Sequence, residues 1–232
     1  MPYRRLPKTD AARLRALKTL LENDDVYTAR NRFIDWKTLN SAKPAYEKLL
    51  TADQQYKLTL NAQTRYTQKL DKPRNMATMY VSHFLQVLLL AVERGEIKRS
   101  FLPLYGLEES AKSLPNIKTD SNLLEWGLKI INGEKERLKK GGRPIYNPTI
   151  GMVSTHIDIF KEAYEQQNNH LESTHKALCN IQKLRPEVDE IILNLWNQIE
   201  AHFESFPDEE KYKEGRKYGI VYYYRRKEPH TL

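Results

Sequence analysis

The sequence predicts an all-α protein: an elongated helical bundle of four to five principal helices with a short C-terminal β-strand. Three observations support this fold class. The 232 residues include only nine Gly and eleven Pro, too few for a turn-rich β fold. Apolar residues recur three and four positions apart over long segments. The exception is residues 220–224 (IVYYY), whose β-branched and aromatic side chains favour a strand.

Length and composition favour one helical-bundle domain over residues 1–232, in which 218–232 form a basic, tyrosine-rich tail. With 40% hydrophobic residues, the chain can bury a sizeable core. Cys179 is the single cysteine, which excludes an intrachain disulfide and favours a reducing compartment. The sequence has neither a signal peptide nor an apolar run of about 20 residues. We therefore expect a cytoplasmic protein without a membrane span.

The first helix is predicted to begin with Thr9 or Asp10 as its N-cap. Leu14, Leu17 and Leu21 follow at helical spacing, so they would form the apolar face of a short amphipathic helix.

The next two helices are predicted from proline and glycine positions. One begins near Ser41 and Pro44 and ends at residues 71–73 (DKP), because proline breaks a helix. The following helix is capped by Asn75 and stops at Gly95. It is apolar nearly all round and is therefore expected to be the central helix of the bundle. Its predicted core residues are Phe84, Val87, Leu88 and Ala91.

The irregular segment 97–118 is longer than ordinary connections, so we expect it to pack over the core. The packing residues would be Phe101, Leu104 and Tyr105. A helix capped by Thr119 or Ser121 comes next and is predicted to bury one face. That face carries Leu124, Leu128 and Ile131.

The longest helical pattern begins after residues 147–149 (NPT). Its apolar face runs from Ile150 to Ile181 and includes Leu171. Pro186 is predicted to kink or restart the helix, and the pattern continues beyond it.

Charge is distributed unevenly along the chain. Residues 1–150 carry 27 basic and 16 acidic residues, a net charge of +11. Residues 151–210 carry a net charge of −8, and residues 211–232 carry +5. An acidic block between two basic ones has three interpretations: the blocks neutralise each other within one bundle, they mediate self-association between copies, or the basic blocks bind nucleic acid. Neutralisation within the bundle is the favoured interpretation.

Several segments carry a family resemblance: YVSHFLQVLLLAVERGEI, YGL, LLEWGLKIINGE, LRPEVDEIILNLWNQIE and YGIVYYYRR. Together they resemble a family of uncharacterised bacterial all-helical proteins of about this length. The resemblance covers most of the chain and implies one continuous unit. It implies no activity, cofactor or site residue.

Catalytic motifs are missing from the sequence. It contains no GxxxxGK[ST] phosphate loop, no GxGxxG after a strand and no GxSxG elbow. Glu172 and His175 have the Glu-x-x-His spacing of di-metal bundles, but such sites need a second copy of the motif and further glutamates. We therefore expect no metal, no cofactor and no catalytic residue. A metal-dependent bundle enzyme built on Glu172 and His175 is kept as an alternative.

Basic residues interleaved with aromatic ones favour contacts to phosphates and bases. This pattern occurs in the tail, and a second basic group lies beside two glycines after residue 138. The candidate partner-binding or nucleic-acid-binding residues are Lys139, Lys140, Arg143, Arg216, Lys217, Tyr222, Tyr224, Arg225 and Arg226.

Residues 219–225 are predicted to form an ordered strand, with Ile220, Tyr222 and Tyr224 on its inner face. A strand needs a partner for its backbone groups. The candidates within the chain are residues 1–6 (MPYRRL), 26–28 (VYT) and 143–146 (RPIY), and a second copy of the chain is the alternative. We favour pairing within the chain, which would make the tail a clasp.

Taken together, these patterns favour a non-enzymatic interaction or structural protein that forms a homo-oligomer or binds a protein partner. A nucleic-acid-associated protein that uses the basic aromatic tail is the first alternative.

Overall fold

The computed structural model describes residues 3–27 and 33–224. These residues form five α-helices, two 3₁₀ helices and two short strands. The α-helices are α1 (Asp10–Leu21), α2 (Trp36–Glu93), α3 (Asp120–Lys139), α4 (Ile150–His202) and α5 (Asp208–Lys217). The strands are β1 (Tyr3–Arg4) and β2 (Tyr222–Tyr223), and the 3₁₀ helices are Asp24–Tyr27 and Arg99–Tyr105. The protein is 75% helical, which confirms the predicted all-α class with a short C-terminal strand.

The chain divides into two compact units, each with its own hydrophobic core. Unit 1 comprises residues 1–59 and 174–232, and unit 2 comprises residues 60–173. The two long helices α2 and α4 contribute to both units. The single domain expected over residues 1–232 stays a prediction.

The core of unit 1 is built from α1, the first part of α2, the last part of α4 and the C-terminal segment. Apolar residues three and four positions apart bring the helices together on their buried faces. The largest contributions come from Leu17, Leu20, Leu49, Ile192, Leu195, Trp196 and Ile199, and Tyr218, Ile220 and Tyr222 join them from the C-terminal segment.

Ion pairs connect α1 to the acidic block of α4 inside unit 1. Arg13 is buried and donates from Nε and Nη2 to both carboxylate oxygens of Asp189, at 2.7 and 2.8 Å. Arg185 makes a similar bidentate contact, donating from Nε and Nη2 to the two carboxylate oxygens of Asp10 at 2.9 and 2.8 Å. The Arg13–Asp189 contact neutralises one carboxylate of the acidic block within the chain, whereas Arg185 is itself a cation of that block and neutralises Asp10.

The core of unit 2 forms where α2, α3, α4 and the 3₁₀ helix Arg99–Tyr105 meet. The segment 97–118 packs over the core as expected: of the predicted residues, Tyr105 is fully buried and Phe101 and Leu104 are half-buried, and Leu102 is buried as well. The predicted residues Phe84, Leu88 and Ala91 of α2 are buried, whereas Val87 is half-buried. Other buried residues of this core include Leu70, Val81, Leu85, Leu123, Ile130, Val153, Ile157 and Phe160.

The predicted boundaries of α2 are wrong at its start. The helix begins at Trp36 rather than near Ser41, because the Asp35 carboxylate accepts a hydrogen bond from the Thr38 backbone amide at 3.1 Å. Leu39 lies in this additional turn and is buried in the core, which stabilises the longer helix.

The predicted helix break at residues 71–73 is also wrong, since α2 continues through Pro73. Leu70 before the proline and Ala77 after it are both buried. Arg74 also donates to both carboxylate oxygens of Asp120 on α3, at 2.5 and 2.7 Å. These tertiary contacts offset the cost of an internal proline, about 3 kcal/mol.

Two further details of the helices differ from the sequence-based expectation. The helix α4 does not restart at Pro186, because it is continuous from Ile150 to His202. Leu171 is exposed, and so is Leu128 of α3. The apolar spacing had placed both leucines on a buried helix face, and this prediction is wrong at these two positions.

One segment of α2 is apolar enough to cross a membrane, judged by length and composition alone. An 18-residue window in this helix has a mean hydropathy of 1.4, and 44% of the window is buried inside the protein. The core helix of a soluble protein passes the same criterion. The absence of a membrane span stays a prediction.

Candidate nucleic-acid interface

The two ends of the described chain meet in a short antiparallel pair of strands. Tyr3 lies opposite Tyr223 and Arg4 lies opposite Tyr222. The Arg5 amide donates to the Val221 carbonyl at 3.0 Å, which extends the pairing by one residue. The predicted partner segment 1–6 is therefore confirmed, and we call the paired residues 3–5 and 221–223 the clasp.

The strand is shorter than the predicted 219–225, because β2 comprises only Tyr222–Tyr223 and Gly219 has a left-handed φ of 84°. The predicted alternation of buried and exposed side chains is present. Ile220 and Tyr222 are buried in the core of unit 1, whereas Val221 and Tyr223 are each 42% exposed. One face of the strand is therefore anchored and the other is open to solvent.

Glu200 of α4 holds both strands of the clasp. Its Oε1 accepts from the Tyr222 hydroxyl at 3.0 Å, and its Oε2 accepts from Arg4 Nη1 at 2.9 Å. Burial, together with the Glu200 charge, raises the pKa of Tyr222, so its phenol stays protonated and continues to donate. Gly215 leaves room for this ring, because a Cβ there would lie 2.7 Å from the Tyr222 hydroxyl.

A groove of about 560 Å³ lies beside the clasp, and we call it the clasp groove. The clasp, the segment before α1, one face of α1 and residues near the end of α5 surround it. Its lining residues are Arg5, Leu6, Pro7, Lys8, Thr9, Ala12, Arg15, Ala16, Thr19, Trp196, Arg216, Gly219, Ile220, Val221, Tyr222 and Tyr223. This set contains four basic side chains and no acidic one.

The four cations of the clasp groove are available to an anionic partner. Arg5, Lys8, Arg15 and Arg216 are exposed, and none pairs with a carboxylate among residues 3–27 and 33–224. Arg5 lies 5.1 Å from the centre of the Tyr223 ring, a distance typical of a cation–π contact. Unpaired cations beside an exposed ring suit a phosphate backbone with unstacked bases.

The structure separates the predicted tail residues into different roles. Arg216 lines the clasp groove, and Tyr222 lines it while also anchoring the strand. Lys217 instead donates to both carboxylate oxygens of Glu214, at 2.7 and 2.8 Å. Tyr224 is half-buried beyond the strand. Arg225 and Arg226 lie outside the described residues.

The second predicted basic group belongs to unit 2, not to unit 1. Lys139 pairs with Glu136 at 2.7 Å, and Lys140 is the exposed C-cap residue of α3. Arg143 lines a different cavity, within unit 2. The seven predicted residues that the structure describes are therefore divided between the two units.

Three groove residues were missed by sequence reasoning: Arg5, Lys8 and Arg15. Arg5 and Lys8 could have been predicted from the expected pairing of residues 1–6 with the tail. This pairing brings the basic N-terminal segment next to the basic tail. Arg15 could not be predicted without the orientation of α1 in the fold. Leu17 and Leu20 are buried in the core, and this orientation places Arg15 at the groove.

The alternative metal residues Glu172 and His175 lie on an exposed part of α4. His175 is 3.9 Å from the Cys179 sulfur. Within the described part of the chain, no group of three or more His, Cys, Asp or Glu side chains is arranged to hold a metal. The expectation of no metal at Glu172 and His175 stays a prediction.

Comparison with known proteins identifies no family. No family model, curated protein or solved structure matches the chain. The fold and the groove define an all-helical protein of 232 residues with a basic groove at its clasp. The resemblance to uncharacterised bacterial helical proteins stays a prediction.

Proposed function

We propose that this protein is a non-enzymatic interaction protein whose clasp groove binds single-stranded nucleic acid. The observation that carries the proposal is the composition of the groove, with four exposed cations and no carboxylate. Each cation that contacts a phosphate releases condensed counterions, which favours binding at low salt.

The ion pairs of unit 1 strengthen this proposal. Arg4, Arg13 and Arg185 already engage Glu200, Asp189 and Asp10. These three carboxylates are therefore already paired. The groove itself is lined by four cations and by no carboxylate of the described residues.

The exposed face of the clasp supplies a surface for a base. Tyr223 is 42% exposed, whereas Trp196 is only 1% exposed and therefore lies beneath the groove. We assign base stacking to Tyr223 and phosphate contacts to the four cations. Stacking on an aromatic ring tolerates any base, so binding should be nearly independent of sequence.

Fluorescence anisotropy with a labelled single strand of about 12 nucleotides tests the proposal over a range of salt concentrations. If all four cations contact phosphates, log K against log [salt] should have a slope of about −2.8 for a single strand. Replacing Arg15 and Arg216 by Ala should make this slope shallower by about 1.4.

Lys18→Ala is the matched control, because Lys18 lies on α1 but does not line the groove and pairs with Glu22 at 3.6 Å. Its slope should equal that of the unmodified protein. Equal binding by Lys18→Ala and by the Arg15→Ala, Arg216→Ala double variant would rule out the groove as the binding site.

Homo-oligomer formation and a cytoplasmic location stay predictions. One of the opposed charge pairs, Arg13 with Asp189, forms within the chain and so needs no second copy. We therefore attach the interaction function to the clasp groove and to no oligomer contact.

A further inference from the structure

Unit 2 contains a second basic cavity, of about 610 Å³, which we call the α3 cavity. It lies between the C-terminal part of α2, the start of the 3₁₀ helix Arg99–Tyr105 and the segment that follows α3. Its charged lining residues are Arg94, Glu96, Lys98, Arg137 and Arg143. Four cations and one carboxylate therefore surround the space.

One cation of the α3 cavity is fixed by a buried network. Arg137 donates from Nε to Glu134 Oε2 at 2.9 Å and to the Tyr105 hydroxyl at 2.9 Å, and from Nη2 to Glu134 Oε1 at 2.7 Å. The Tyr105 hydroxyl in turn donates to Glu134. Burial and the hydrogen bond to Glu134 raise the pKa of Tyr105, so it remains a donor.

One nitrogen of the Arg137 guanidinium group, Nη1, is not used by this network. The Arg137 side chain is only 3% exposed, and its Nη1 donates to no residue of the described chain. No fully buried side-chain nitrogen of the described residues lacks a partner, so Nη1 must retain open space next to it. Gly142 borders that space, because a Cβ there would lie 2.6 Å from Nη1.

Two exposed cations complete the basic side of the α3 cavity. Arg94 is engaged by Glu96 at 2.7 Å, but Lys98 and Arg143 pair with no carboxylate in the described ranges. The backbone of Arg143 is anchored, since its carbonyl accepts from Arg137 Nη2 at 2.7 Å. Two cations without a carboxylate partner in the described ranges, Lys98 and Arg143, and one further donor, Arg137 Nη1, can therefore face one anion.

The α3 cavity also has apolar lining residues: Val87, Ala91, Ile97, Phe101 and Ile145, together with the exposed Tyr146 ring. A pocket of this size with an apolar lining and a few convergent polar groups is typical of small-molecule sites. A free inorganic ion would leave this lining unused.

We propose that the α3 cavity binds a small organic phosphate, with the phosphate against Arg137, Lys98 and Arg143 and the organic group against Phe101. Lys98 and Arg143 carry two positive charges that no carboxylate of the described residues neutralises, which suit a phosphate dianion better than a carboxylate of single charge. Arg137 adds one hydrogen-bond donor, because Glu134 already neutralises its charge. This inference concerns unit 2 and does not rest on nucleic-acid binding at the clasp groove.

Isothermal titration calorimetry of the full chain with phenyl phosphate tests the inference at low ionic strength. We expect a dissociation constant below about 1 mM, and weaker binding of inorganic phosphate and of benzoate. Arg143→Ala removes one cation but keeps the carbonyl that holds Arg137, so it should fold normally and weaken binding about tenfold or more. Lys98→Ala should act in the same direction.

Lys140→Ala is the matched control, because Lys140 lies three residues from Arg143 and does not line the cavity. Its affinity for phenyl phosphate should stay within about twofold of the unmodified protein. The inference is overturned by undetectable binding of phenyl phosphate, by equal effects of Arg143→Ala and Lys140→Ala, or by binding of benzoate or inorganic phosphate as tight as that of phenyl phosphate.

Discussion

Tyr222 donates its hydroxyl hydrogen to Glu200 Oε1 across 3.0 Å, and this contact ties the C-terminal strand to α4. Arg4 of the N-terminal strand occupies the other carboxylate oxygen, at 2.9 Å. A single glutamate thus connects two segments that are more than 200 residues apart in the sequence. The stability of the clasp should therefore depend on this side chain and on its two donors.

Replacing Tyr222 by Phe should destabilise the protein by about 1 kcal/mol, because a hydrogen bond to a partly exposed carboxylate is lost while the ring stays buried. Tyr223→Phe is the matched control, since its ring faces solvent and retains the contact with Arg5. Urea unfolding measures both values. Equal free energies of unfolding for the two variants would show that the Glu200 contact contributes nothing.

Deleting residues 218–232 should lower the melting temperature by about 5 °C or more, because Tyr218, Ile220 and Tyr222 leave the core of unit 1. Light scattering should give the same number of chains per particle as for the full chain, since the strand pairs within the chain. Deletion of residues 225–232 alone is the control for shortening of the chain, because it keeps Tyr218, Ile220 and Tyr222. Fewer chains per particle for the longer deletion would instead identify the tail as a contact between copies.

Leu88 and Leu90 provide a matched test of the core of unit 2. Leu88 is 0% exposed and Leu90 is 50% exposed, although they lie two residues apart on α2. Leu88→Ala should reduce the free energy of unfolding by about 2 to 5 kcal/mol, and Leu90→Ala by less than about 0.5 kcal/mol. Denaturant unfolding compares them directly, and a similar loss for both would place the core elsewhere.

Asp10 should make stability depend on pH at acidic values. The hydrogen bond from Arg185, aided by Arg13, holds the pKa of Asp10 below its ordinary value of 3.8. A depressed pKa stabilises the fold above pH 3.8, and this contribution is lost as the pH falls through the folded-state pKa.

Asp10→Asn should therefore be less stable than the unmodified protein at pH 7, by about 1 kcal/mol because Arg185 is partly exposed. The difference should shrink towards zero as the pH falls well below the ordinary carboxyl pKa. Urea unfolding at a series of pH values measures it. A difference that is independent of pH would mean that the charge of Asp10 does not act through its arginine partners.

The local sequence was sufficient for the fold class and for several helix ends. Thr9 and Thr119 each cap a helix with a side-chain oxygen at 3.2 Å from a backbone amide, as their positions predicted. Gly95 adopts a positive φ of 75° after α2, as expected for a glycine stop. Such features depend on residues within one turn, so a short window of sequence contains the information that determines them.

The candidate sites were only partly predictable. Arg216 and Arg143 were chosen for their composition and do line cavities, but in different units. Glu134 and Arg137 were not anticipated, although Glu134 follows Ile131 by three residues on the buried face of α3. A polar residue on an apolar helix face indicates a buried hydrogen-bond network only when its partner is known. Here the partner of Glu134 and Arg137 is Tyr105, which lies on a different element, the 3₁₀ helix Arg99–Tyr105.

By itself, the sequence determined that this protein is helical, which residues could cap α1 and α3, and that an extended segment lies within residues 219–225 with Tyr222 facing inward. Tertiary structure decided that α2 passes through Pro73, that β2 pairs with β1 and that Arg5, Lys8, Arg15 and Arg216 share one groove. The physical reason is the range of the interactions. Capping and periodicity act over a few residues, whereas burial and strand pairing join segments that only the folded chain brings together.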